Sequence, residues 1–110
     1  MQDILAKAGE LASAIKKSSP YKALMDAQQQ LDGNEPVRKL MADFDEYSRK
    51  IREKEKALQP VEVEEKRKVQ QLREQMQSNA LVQALLRAQA DYAQLMAKVN
   101  ETIEATLQPE

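Results

Sequence analysis

The stretch from Ser78 to Leu107, SNALVQALLRAQADYAQLMAKVNETIEATL, runs thirty residues in one period without glycine or proline. Val82, Leu85, Leu86, Ala88, Tyr92, Leu95, Met96, Val99, Ile103 and Leu107 recur in steps of three and four, so they gather on one face of a helix. Asn79 can accept a first-turn amide, and Pro109 discourages continuation, so both ends have a physical cause. A helix from Asn79 to Leu107 spans roughly 43 Å, whereas a domain of this size has a radius of gyration of about 13 Å. Either the molecule is elongated or another chain covers the excess apolar surface.

Upstream, the pattern predicts four more helices. Ile4, Leu5, Ala8, Leu11, Ala12 and Ile15 form a stripe over residues 2–17. Ser18 and Pro20 restart the chain for a short helix over 20–31, with Tyr21, Leu24, Met25 and Leu31 on one side and Gly33 as a left-handed terminator. Asn34 and Pro36 open a third helix, in which Val37, Leu40, Phe44, Tyr47, Ile51 and Leu58 make a coiled-coil seam broken by Lys54. Gln59 and Pro60 end it, and a fourth helix over 61–76 carries Val69, Leu72 and Met76. Three helix starts repeat one pattern: Ser18, Tyr21, Leu24, Met25; Asn34, Val37, Leu40, Met41; and Asn79, Val82, Leu85, Leu86. Each sets a cap and then aims two turns at a core. The expected fold is all-α: an antiparallel bundle of about five helices in a single domain over 1–110. A charged hairpin over about 37–76 projects from it, and a long C-terminal helix covers about 79–107.

Composition limits the chemistry. The chain has no cysteine and no histidine, which removes thiolate nucleophiles, the usual neutral-pH base and most transition-metal sites. No phosphate loop or serine elbow is present, and no apolar run reaches the length of a membrane span. Asp3 and Glu10 stand where a basic leader would be, so the sequence predicts a soluble cytoplasmic protein without cofactor or metal. The carboxylates Asp43, Asp45, Glu46, Glu62, Glu64 and Glu65 read as a solvated face.

Between Arg49 and Glu74 there are nine basic and six acidic residues, arranged mostly as interspersed signs three and four apart. Arg49, Arg52, Lys66, Arg67 and Lys68 form the one candidate nucleic-acid footprint. Its small net charge and lack of interleaved aromatics favour an ion-paired hairpin instead. Leu86, Met96, Val99, Ile103 and Leu107 are the candidate interface, most simply with a second copy of the chain.

Taken together, AIKKSSPYKALMDAQQQL, the DGNEPVRKLMADF restart, the charged hairpin and SNALVQALLRAQADYAQLMAKVNETI resemble the YlbF/YmcA family of small bacterial helical proteins, which includes YheA-type members. The resemblance covers nearly the whole chain and rests on spaced apolar and cap positions. Tyr21, Leu24, Leu40, Phe44, Asn79, Leu85 and Val99 match best, and all are structural in character. It implies homo- or hetero-oligomers of related helical proteins, no enzymatic activity, and a regulatory role in competence, sporulation, biofilm formation and RNA maturation through a membrane-bound ribonuclease. Relatives linked to iron–sulfur clusters hold them by cysteine, which this chain lacks. The expected function is a non-enzymatic oligomeric adaptor; the alternatives are a helical-hairpin RNA-binding protein and a holdase-like coiled-coil chaperone.

Overall fold

The computed structural model describes residues 1–109. Among them are five helices and no strand: α1 (Gln2–Lys16), α2 (Ser19–Asp32), α3 (Glu35–Lys56), α4 (Val63–Gln77) and α5 (Ala80–Leu107). The all-α class follows from the chain's periodicity, and three of the helix starts follow from side-chain caps. Ser18 Oγ accepts the amide of Tyr21 at 3.4 Å, Asn34 Oδ1 that of Val37 at 3.1 Å, and Asn79 Oδ1 that of Val82 at 3.1 Å. The repeated pattern is thus three capped starts with one bonding geometry, each satisfying an amide that has no partner within its helix.

Three local expectations are corrected. No glycine takes positive φ; α2 closes instead with the Asn34 amide donating to the Leu31 carbonyl at 3.0 Å, so the chain enters the next cap through a tight turn without Gly33 becoming left-handed. Helix α3 stops at Lys56, and Leu58 leaves the seam with φ 57°. Pro60 is the cause, since its ring disfavours a helical conformation at Gln59 and the chain has to turn before it. Helix α4 therefore starts at Val63 rather than Val61, with Glu62 extended as its N-cap.

The chain forms two compact units, one of Met1–Gln29 with the chain from Leu85 on, the other of Gln30–Ala84. In the first, Leu11 shares a groove with Val99 and Ile103, and the Tyr21 ring lies 6.0 Å from that of Tyr92. This pairing runs α1 and the start of α2 antiparallel to α5. Ala27, Leu85 and Ala88 are its buried apolar residues.

In the second unit, α3 packs against α4. The Lys54 ammonium meets the Glu65 carboxylate near the turn, and the Arg73 guanidinium lies 5.8 Å from the Phe44 ring centre farther down, which sets an antiparallel course. Leu31, Val37, Val69, Leu72 and Val82 are buried there, while Leu40, Phe44, Tyr47 and Ile51 are half-buried along the seam. Lys54, the break in the apolar spacing, has its reason across the hairpin in Glu65.

Glu65 also accepts the Glu62 amide at 3.2 Å, tying the start of α4 to the end of α3. The hydrogen bond from Lys54, and then that from the Glu62 amide, hold its carboxyl below the ordinary 4.5. A carboxyl lowered in the folded state stabilises fully above its ordinary value and loses that contribution as pH falls through the lowered one. Glu65→Gln is therefore expected to lower the melting temperature slightly at pH 7. The deficit should shrink below about pH 4.5. A deficit of the same size at every pH would show that charge is not what holds the contact.

Candidate partner-binding face and charged hairpin

Burial along the apolar stripe of α5 falls steadily towards its C-terminus. Leu85 is 5% exposed, Tyr92, Leu95, Met96 and Val99 are half-buried, Ile103 is 45% exposed and Leu107 77%. At 1.5 Å per residue the 28-residue helix is about 42 Å long, and its last turns keep a core-type pattern with little of this chain to cover them. Four of the five candidate interface residues, Met96, Val99, Ile103 and Leu107, lie on this one stripe. Leu86 does not. It is exposed about 100° round the helix from its neighbour Leu85.

Helix α1 shows the matching gradient from its other end. Its stripe is complete in the sequence, yet no residue of α1 is buried: Ile4 is 71% exposed, Leu5 61% and Leu11 less, and only Ile15 reaches half-burial. Because α1 runs antiparallel to α5, its open start and the open end of α5 belong to the same end of this unit. Leu11, Val99 and Ile103 line the shallow groove of about 270 Å³ where the two helices meet, with Lys98 and Thr102 beside them. Ile4 and Leu5 extend this apolar surface on one helix and Leu107 on the other. The sequence stripe of α1 reads equally well as core, so the sequence alone does not add Ile4, Leu5 and Leu11 to the interface set.

The basic candidates of the second unit are all exposed. Arg49 and Arg52 line a shallow pocket with Ala42, Asp45 and Glu46, so carboxylates share the space that a phosphate would need. Arg67 pairs with Glu64 at 3.1 Å and Lys50 with Glu46 at 3.3 Å, while Lys66 and Lys68 are each exposed, about 200° apart round α4. Among the described residues, no three acidic side chains come together as ligands for a metal ion, and no helix is long and apolar enough to cross a membrane.

Known proteins resemble the chain over nearly its whole length, in sequence and in fold. A UPF0342 protein of Alkalihalophilus pseudofirmus is 25% identical over 108 residues, covering 98% of this chain and 92% of its own length. One of Lactobacillus helveticus is 27% identical over 101 residues, covering 92% and 87%. The fold is similar to a chain of the crystal structure of Bacillus subtilis RicA in complex with RicF, with a TM-score of 0.82, 17% identity and coverage of 93% and 90%. It is also similar to a Bacillus stearothermophilus protein of unknown function, DUF964, with a TM-score of 0.67, 20% identity and coverage of 96% and 92%. The family described as "Control of competence regulator ComK, YlbF/YmcA" matches residues 4–108, and with that match over nearly its whole length the chain belongs to the YlbF/YmcA family.

Proposed function

We propose that this protein is a non-catalytic cytoplasmic adaptor that works by docking the open end of its α1–α5 pair onto another helical chain, a relative or a second copy. The observation that carries the reading is α1, an amphipathic helix with no buried residue. An exposed contiguous apolar surface is uncommon on a lone soluble protein and common at an interface. Two antiparallel helices with one open apolar face can complete a four-helix arrangement with a similar pair. The similar fold of a chain in the RicA–RicF complex supports a partner of this kind. A regulatory complex of family members, with a ribonuclease as its target, is the finer version of the same proposal.

The test is a tagged pull-down from the native cell, divided so that one half is treated with nuclease before its partners are identified. A helical protein of the same family, recovered equally from both halves, is the expected result. Co-purifying RNA with proteins lost on treatment would overturn it in favour of the basic hairpin residues Arg49, Arg52, Lys66, Arg67 and Lys68. Suppressed aggregation of unrelated clients without a fixed partner would point to a holdase.

A further inference from the structure

The turn between α3 and α4 carries a side chain that the fold does not use. After the last turn of α3, the Gln59 amide donates to the Lys54 carbonyl at 2.8 Å and the Leu58 amide to the Glu55 carbonyl at 3.2 Å. This is the Schellman closure, whose left-handed position usually goes to glycine because a Cβ there crowds the backbone. Here the position is Leu58, at φ 57°. Leucine lacks the short polar group with which asparagine or aspartate eases that conformation. It gains nothing in exchange from burial, since Leu58 is 93% exposed. Val63, at the first position of α4, is exposed as well. The turn is clamped on its far side by Glu65, which holds both Lys54 and the Glu62 amide.

We propose that the hairpin tip is a docking knob, with Leu58 and Val63 inserting into an apolar pocket of a folded protein partner whose rim carries both signs of charge. The surroundings of the knob select that occupant. The flanking segments carry exposed Arg52, Lys56 and Lys66, but also exposed Glu53, Glu55 and Glu62, with the signs interspersed in sequence. A surface of anionic lipid or nucleic acid would attract the first set and be repelled by the second. No aromatic side chain lies between Arg49 and Glu74 to stack on a base. An apolar centre within a polar rim of mixed sign is the composition of a protein–protein contact. A clamped turn also loses little conformational freedom on binding. The knob stands on a different observation from the α1–α5 face and holds whether or not that face binds.

The test places a photo-crosslinking amino acid at Gln59, beside an intact Leu58, in the full chain expressed in the native cell. The crosslinked protein is then purified, and its affinity is measured for the natural chain and for Leu58→Gly. Glycine suits the backbone at this position, so the variant is expected to melt at or above the natural temperature. It is also expected to lose the crosslink and to bind at least about tenfold more weakly. Equal binding by Leu58→Gly, or no protein adduct at Gln59, would overturn the proposal. A fall in melting temperature would overturn it too, by giving Leu58 an internal role. Retention on vesicles of phosphatidylcholine and phosphatidylglycerol that requires Leu58 would replace the protein partner with a lipid surface.

Discussion

Leu85→Ala is expected to lower the stability of the chain by about 2 to 5 kcal/mol, because it removes a buried side chain and leaves a cavity that the surrounding helices fill only in part. Leu85 is 5% exposed on α5, one of few fully covered apolar residues in its unit. Against the roughly 5 to 15 kcal/mol that holds a typical domain together, that loss is large. It should appear as a fall of roughly 10 °C or more in a thermal melt followed by circular dichroism. The adjacent Leu86→Ala makes the same chemical change about 100° round the helix, where the side chain is largely exposed. Its expected effect is within about 0.5 kcal/mol. Equal losses from the two variants would show that the buried face of α5 has been assigned wrongly.

The second large effect is on association rather than folding. Ile4→Asp combined with Leu5→Asp places two charges on the exposed start of α1, where carboxylates also suit the positive end of the helix dipole. Helical content and melting temperature of the isolated chain should therefore stay close to those of the natural protein. Binding should not. An apolar anchor at the centre of an interface typically contributes about 2 kcal/mol or more, so each substitution is expected to weaken association about thirtyfold. Sedimentation velocity across a range of concentrations, with the chain alone and mixed with the family partner recovered from cells, reads this directly. Unchanged association would move the interface away from α1. A loss of helicity would show that Ile4 and Leu5 are packed within their own chain.

Much of the fold is legible in the sequence because it is decided locally. Ser18, Asn34 and Asn79 each cap the helix that follows, since a side-chain oxygen placed three residues before a free amide needs nothing distant to reach it. The uninterrupted period from Val82 to Leu107 likewise requires a long helix whatever packs on it. The turn at the hairpin tip is less legible. Pro60 announces that α3 must end, but which residue absorbs the reversal depends on how the two helices meet, and it is Leu58 rather than a glycine. Lys54 looks like a flaw in a heptad until Glu65 is brought opposite it.

The candidate face illustrates the same division. The sequence by itself determined an all-helical chain, the capped starts of α2, α3 and α5, and apolar stripes on α1 and α5 too extensive to be accidental. Only the tertiary structure decided that Leu85 is covered while Leu86 and Leu107 are not, and that α1 keeps its stripe open from Ile4 to Leu11. The reason is that burial of apolar surface is non-directional: it rewards removal from water and is indifferent to which surface provides it. A stripe of Leu, Ile and Val therefore encodes the need for a cover, and the packing of the rest of the chain decides which part of that need is left for a partner.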